Sequence, residues 1–177
     1  LENGNLLLTI DEKMHCLVSS QGAGAKPMTE VSSATEYLVT KKFIADDFRL
    51  DKVSTVTIND STGTGRLWTI SGNYSKQEIM LTKVLQIRLY DNLPGMAVLK
   101  VFYTNGSDRN VEVKKWVNHH YSVPSQRDTP NFWSFQGGST SERSDWILPL
   151  RPGSSQKNYM GMNSTDAGGG IPVTDIW

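Results

Sequence analysis

Two short segments near the end of the chain carry residue types that could bind a sugar. The first, ERSDWILPL, places Asp145 beside Trp146. A carboxylate accepts hydrogen bonds from hydroxyl groups, and a flat indole covers the apolar C–H face of a pyranose ring. The alternative is that Trp146 packs in the core at the start of a strand, with Glu142 and Arg143 as a surface ion pair ahead of it.

The second segment, MNSTDAGGG, joins polar side chains to three consecutive glycines. Asn163 and Asp166 offer hydrogen-bond donors and acceptors to a hydroxyl-rich ligand. The glycines expose backbone groups and permit close approach of a ligand (Gly168, Gly169 and Gly170). A phosphate-binding loop is excluded, because the required Lys-Ser/Thr pair does not follow the glycines. The alternative is a tight turn at a domain junction.

No catalytic or metal-binding arrangement stands out in the sequence. A retaining glycosidase needs two carboxylates about 5–5.5 Å apart, and no such pair can be assigned from the sequence. His119 and His120 are adjacent, so on a strand they would point to opposite faces and could not bind one ion. His15 and Cys16 are also adjacent and could not bind one ion, for the same reason. Because the chain has a single cysteine, an internal disulfide is excluded. The sequence predicts no catalytic residue, no metal ion and no cofactor.

The amino-acid composition of the chain limits the classes of partner that it can bind. The charges cancel, with 18 basic and 18 acidic residues, whereas nucleic-acid binding needs a basic surface. No apolar run approaches the ~18 residues of a membrane-spanning helix. We therefore expect neither a nucleic acid nor a membrane as partner. The single cysteine leaves the compartment open, with a periplasmic or secreted location preferred to a cytoplasmic one.

The clearest elements are three consecutive strands, predicted over Ile79–Leu89, Met96–Tyr103 and Val111–Val117. In the first strand apolar residues share one parity, which is typical of a half-buried strand (Leu81, Leu85, Ile87 and Leu89). The third strand has valines on one face (Val111, Val113 and Val117). An Asn105-Gly106 pair before it favours a hairpin turn. The three strands are therefore predicted to be antiparallel neighbours.

The rest of the first 121 residues also has β character. Short segments rich in β-branched or aromatic residues are bounded by Gly, Asn, Asp or Ser (Asn5–Ile10, Thr35–Thr40, Ser54–Asp60 and Gly65–Gly72). Apolar residues nowhere recur at the helical spacing over three turns. The predicted fold class is therefore all-β, an antiparallel β-sandwich. Residues 122–177 form a loop-rich section dense in Pro, Gly, Ser and Asn.

The stretch YMGMNSTDAGGGIPVTDIW, with RSDWILPL before it, resembles the end of the N-terminal β-sandwich of α-galactosidase-type enzymes, in glycoside hydrolase family 36 or a close relative. The resemblance covers residues 144–177, and Gly168–Pro172 match the family's Gly-Gly-Gly-Ile-Pro stretch. Ala167 departs from the aromatic residue expected there. The resemblance implies that residues 1–177 form one supersandwich of the galactose-mutarotase-like kind, which leads to a (β/α)₈ catalytic barrel outside this sequence.

The resemblance also implies a function. The chain would be the non-catalytic N-terminal domain of a retaining glycosidase, with the glycosyl-aspartate chemistry in the barrel. Its expected partners are a galactoside-like carbohydrate, the downstream barrel and identical subunits in a homo-oligomer. The chain itself is expected to be inactive on aryl galactosides, and its apolar last residues, Ile176 and Trp177, suggest the front part of a longer protein. The alternative is a free-standing carbohydrate-binding β-sandwich.

The two candidate acids can be tested in the protein that contains the barrel. If Asp166 or Asp145 binds sugar, Asp166→Ala or Asp145→Ala should lower kcat/KM by about 1–3 kcal/mol with the fold intact, because a buried polar partner is left unpaired. We expect at least one of the two variants to behave in this way. Unchanged kinetics with a lower Tm in both variants would favour the junction turn instead.

Overall fold

All regular structure among the described residues is β-strand. The computed structural model describes residues 1–21, 28–29, 34–122, 132–135, 147–150 and 175–176. Within them, every pair of neighbouring strands is antiparallel, and no helix is long and apolar enough to cross a membrane. The predicted all-β, antiparallel sandwich class is confirmed. The chain divides into two units, Leu1–Pro124 and Ser125–Trp177.

The first unit contains three sheets. One sheet has the order β1 (Glu2–Asn3), β2 (Leu6–Ile10), β3 (Cys16–Ser20). A second has the order β10 (Val113–Val117), β4 (Tyr37–Thr40), β5 (Ile44–Ala45). The third and largest has the order β6 (Arg49–Asp60), β7 (Gly63–Lys76), β8 (Ile79–Tyr90), β9 (Val98–Asn105).

The second unit contains one small sheet among its described residues. Its strands are β11 (Phe132–Phe135), β12 (Ile147–Leu150) and β13 (Asp175–Ile176). The strand order is β12-β11-β13, and both pairings are antiparallel.

The core of the first unit is built on the inner face of β8. Leu85 is fully buried and lies between Ile70 of β7 and Val101 of β9, which are its cross-strand partners. Residues of the two smaller sheets, such as Leu8 and Leu38, belong to the same buried cluster. Three sheets therefore share one core, which is the sandwich arrangement that the alternating pattern of β8 requires.

The predicted position of the third strand is wrong. β8 and β9 are antiparallel neighbours as predicted, but β10 pairs with β4 and not with β9. Neither Asn105 nor Gly106 has a positive φ, so the tight hairpin turn that this pair favours does not form. Gly106 instead donates its N–H to Met80 O at 2.9 Å. The Asn105 side chain binds Ser107 and the Arg109 carbonyl, and residues 106–112 carry the chain to the other sheet.

A tight turn with two positive φ values lies instead at Gln77-Glu78, between β7 and β8. Lys76 pairs with Ile79, so only two residues connect the strands. Their φ values are 49° and 66°, as in a type I′ turn. A residue with a side chain in this conformation costs about 1–2 kcal/mol relative to the right-handed region. Glu78 also forms an exposed ion pair with Arg109.

This turn predicts a stabilising change. The double variant Gln77→Asn/Glu78→Gly should raise Tm, with a gain of about 1 kcal/mol, because Asn and Gly adopt positive φ more readily. Thermal unfolding followed by circular dichroism would measure it. Gln86→Gly, in the middle of β8, is the control and should lower Tm, because glycine weakens a strand interior. A lower Tm for the turn variant would contradict the assignment of the turn.

Candidate functional site

The residues predicted to bind sugar lie outside the described part of the chain: Asp145, Trp146, Asn163, Asp166, Gly168, Gly169 and Gly170. Their role stays a prediction. The first unit supplies two other features of chemical interest. One is an open groove between β9 and β10, and the other is a charged cluster in the core.

The groove has a volume of about 500 Å³. Val101 and Tyr103 of β9 line one side, Leu38 of β4 lies between the two walls, and Val113 and Trp116 of β10 line the other. β9 and β10 each have a strand neighbour on one edge among the described residues. The groove is therefore the open end of the sandwich, where the core face continues to solvent between two sheets.

A β-bulge sets the composition of the groove wall. Val113 pairs with Thr40 and Trp116 pairs with Leu38, with a register shift between Val113 and Lys115. The extra residue changes the parity of β10, so Val113 and Trp116 lie on the same face. Val117 pairs with Tyr37 and lies on the opposite face. The prediction that Val113 and Val117 share a face is therefore wrong.

Trp116 is the most exposed large apolar residue of the groove. Its partner Leu38 is buried, yet Trp116 is 68% exposed, because β10 is the edge strand of its sheet and the opposite wall stands apart. An indole on the core side of a sheet with this much free surface is a flat apolar platform. Such platforms stack on rings and on the C–H faces of sugars.

Polar groups surround this indole. Asn118 and two lysines, Lys114 and Lys115, also line the groove. Lys114 Nζ is 2.6 Å from Glu112 Oε1, whereas Lys115 has no carboxylate within 4.0 Å in the described portion of the chain. An amide and an ammonium group are donors that suit hydroxyl oxygens. The groove thus combines an aromatic platform with hydrogen-bonding groups.

The charged cluster in the core centres on Lys83, on the inner face of β8. The side chains of Lys83 and Glu36 are both 0% exposed, and Nζ is 3.5 Å from Glu36 Oε2. Lys83 Nζ also donates to Glu36 O at 2.9 Å and Met14 O at 3.2 Å. It lies 5.6 Å from the centre of the Phe48 ring. Three acceptors and one aromatic face therefore replace the water that a lysine normally binds.

Two backbone features make room for Lys83. Its cross-strand neighbour on β7 is Gly72, where an added Cβ would collide with Met14 Sδ and lie 2.8 Å from Arg49 O. Met14 has φ 60°. The missing side chain lets Met14 pack against the sheet, and Met14 in turn presents its carbonyl to Lys83.

The polar groups around the Lys83–Glu36 pair are also buried. Glu36 Oε2 accepts a hydrogen bond from Thr35 Oγ1 at 2.7 Å, while Glu36 Oε1 and the Tyr103 hydroxyl are buried with no hydrogen-bond partner in the described residues. Burial lowers the pKa of Lys83 against the opposing effect of Glu36. Burial, reinforced by the charge of Glu36, raises the pKa of the Cys16 thiol to about 11.

This cluster is structural and not catalytic. A lysine with a lowered pKa beside a carboxylate and a thiol is a common sign of an active site. Here neither Lys83 nor Glu36 has any exposed side-chain surface, so a substrate has no access to them. The sequence signal was available: Lys83 lies at the apolar parity of β8, between Leu81 and Leu85. A lysine at such a position has to find buried acceptors.

The histidines face separate partners. The His119 and Tyr121 rings stack, and His119 Nδ1 is 3.9 Å from Glu36 Oε1, while His120 packs edge-on to Tyr37. His15 lies between two carboxylates, with Nδ1 3.4 Å from Asp11 and Nε2 3.1 Å from Asp47. A hydrogen bond from Lys13 lowers the pKa of the Asp47 carboxyl. Across the described ranges no group of three or more His, Cys, Asp or Glu could hold a metal ion.

No family model matches the sequence, and no curated protein matches it significantly.

Replacement of either partner of the buried pair should be costly. Lys83→Met and Glu36→Leu should each lower the free energy of unfolding by about 3–5 kcal/mol, because each leaves a buried charge uncompensated. The double variant should lose much less than the sum of the two. Urea denaturation of all three proteins measures these changes. Lys114→Met, which breaks an exposed ion pair, is the control and should change little. Additive losses in the double variant would contradict a direct Lys83–Glu36 interaction.

Proposed function

We propose that the chain is a non-catalytic, carbohydrate-binding β-sandwich domain, the N-terminal domain of an α-galactosidase-like retaining glycosidase. The observation that supports the binding role is Trp116. It lies on the core side of an edge strand, in an open groove, and is 68% exposed. The resemblance of residues 144–177 to the N-terminal domain of these enzymes supports the assignment to a galactoside-acting protein.

In this proposal the indole of Trp116 covers the C–H face of a pyranose ring. Apolar neighbours on both walls, Val101 and Val113, exclude water from the edge of that contact. Lys115 and Asn118 donate hydrogen bonds to ring hydroxyls from the rim. The division into an aromatic floor and a few polar groups is the usual composition of a small-ligand site.

A non-catalytic role agrees with the carboxylates near the groove. Glu112 is held by Lys114 and, at 3.4 Å, by Lys41. Glu36 has no exposed side-chain surface. The nucleophile and the acid of a glycosidase work as a pair on either side of the bond that breaks. Glu36 cannot reach a substrate, and Glu112 alone does not make such a pair. In the proposed parent enzyme this chemistry belongs to the barrel, and the sandwich shapes the sugar pocket.

The alternative function is a free-standing carbohydrate-binding module. One observation favours it: the described residues that line the Trp116 groove all belong to the first unit, Leu1–Pro124. The reading frame beyond Trp177 distinguishes the two, because a barrel requires several hundred further residues.

The sugar-binding role predicts the effect of removing the indole. Trp116→Ala should weaken binding of α-galactoside oligosaccharides at least about tenfold, equivalent to about 1.4 kcal/mol, because the stacking surface is lost. Isothermal titration calorimetry on the 177-residue chain measures it. The matched control is Phe102→Ala: Phe102 is also an exposed aromatic, at 48%, but it alternates with Val101 and Tyr103 and faces away from the groove.

Two outcomes would contradict the proposal. Equal affinity of the wild type and Trp116→Ala for the sugar would show that the groove is not the sugar site. Hydrolysis of an aryl galactoside by this chain, abolished by changing one of its own acids, would overturn the non-catalytic role. An unchanged Tm in both aromatic variants would show that loss of binding is not loss of fold.

A further inference from the structure

The largest sheet ends in a long strand, β6, whose outer edge has no partner strand among the described residues. β6 has twelve residues, and ten of them are exposed. In the described structure β6 pairs with β7 alone. Val53 and Val56 are 49% and 57% exposed. An open edge of this length presents a row of unpaired N–H and C=O groups, which is a template for another strand.

The central part of β6 lacks the residues that usually protect an edge strand from pairing. From Val53 to Asn59 the sequence is VSTVTIN, which contains neither a charged residue nor proline. Proteins that keep an edge strand unpaired usually place lysine, proline or a bulge on it. β6 has a lysine, Lys52, and a register shift between Leu50 and Lys52, but both lie near the start of the strand. The seven residues from Val53 to Asn59 therefore form an edge that is suited to pairing.

We infer that β6 pairs antiparallel with β6 of a second copy of this chain, so that two four-stranded sheets join across a two-fold axis. Such an axis, perpendicular to the sheet, keeps inner faces beside inner faces and gives an isologous interface. It therefore allows only registers that are centred on a residue of the strand. This inference goes beyond the proposed sugar-binding role and does not depend on it.

Charge selects one of these registers. When Val56 is opposite Val56 of the second copy, Lys52 is opposite Asp60, and the contact occurs twice by symmetry. Lys52 and Asp60 are both exposed, and neither has an ion-pair partner within 4.0 Å in the described structure. A shift of the centre to Thr55 would place Lys52 opposite Ile58. A shift to Thr57 would place Asp60 opposite Ser54. The geometry thus favours the Val56-centred register.

A cysteine at the centre tests both the dimer and its register. Residues directly opposite in an antiparallel pair have Cα atoms about 4.5–5.5 Å apart, within the range of a disulfide. Val56→Cys should therefore form a covalent dimer under mild oxidation, seen as a doubled mass on a non-reducing gel. Ser54→Cys is the matched control. Its two copies would be offset by four residues, about 13 Å along the strand, and should not cross-link. Cys16 is buried and should not interfere.

A second measurement covers the case in which the cysteine variant does not fold. Sedimentation velocity of the wild-type chain should show a dimer, and Val56→Lys should be a monomer, because two ammonium groups would face each other at the axis. Met80→Lys, at a residue 59% exposed and away from β6, should stay dimeric. A monomeric wild type at all concentrations, or cross-linking of Ser54→Cys in preference to Val56→Cys, would overturn the inference.

Discussion

The first unit depends on the hydrogen bonds of one buried cation, the ammonium group of Lys83. Lys83 belongs to the largest sheet, Met14 lies between two strands of the first sheet, and Glu36 precedes the first strand of the sheet that contains β10. One group of the largest sheet therefore binds acceptors that lie beside the strands of the other two sheets. Desolvation of the charge opposes folding, so the sheets have to bring their acceptors together at the correct distances. That requirement limits how the three sheets can pack.

The same cluster positions the groove. Tyr103 is the cross-strand partner of Lys83 on β9 and also lines the groove. Leu38 follows Glu36 by two residues and lies between the two walls. Two residues after β10, His119 Nδ1 lies 3.9 Å from Glu36 Oε1, so the strand that carries Trp116 ends close to the same carboxylate. A change in the buried pair should therefore alter the groove as well as the stability of the core.

Alternation predicted the strands and their antiparallel order where one side of a strand is buried, as in β8, because burial enforces a period of two. Predictions from this alternation were wrong where the backbone departs from a period of two. The bulge in β10 places Trp116 on the groove side, and no residue type in the sequence indicates that a bulge is present. A tight turn with positive φ values forms at Gln77-Glu78 and not at Asn105-Gly106, because strand pairing overrides local turn preference. The role of Lys83 depends on acceptors that are 47 and 69 residues away in sequence.

The most direct test of this account is nuclear magnetic resonance of the Lys83 side chain. A buried ammonium held by three acceptors exchanges its protons slowly with water. The account predicts a separate Lys83 NH₃⁺ signal at neutral pH, with nuclear Overhauser contacts to Met14 and Glu36. A Lys83 signal that exchanges and titrates like an exposed lysine, without those contacts, would contradict it.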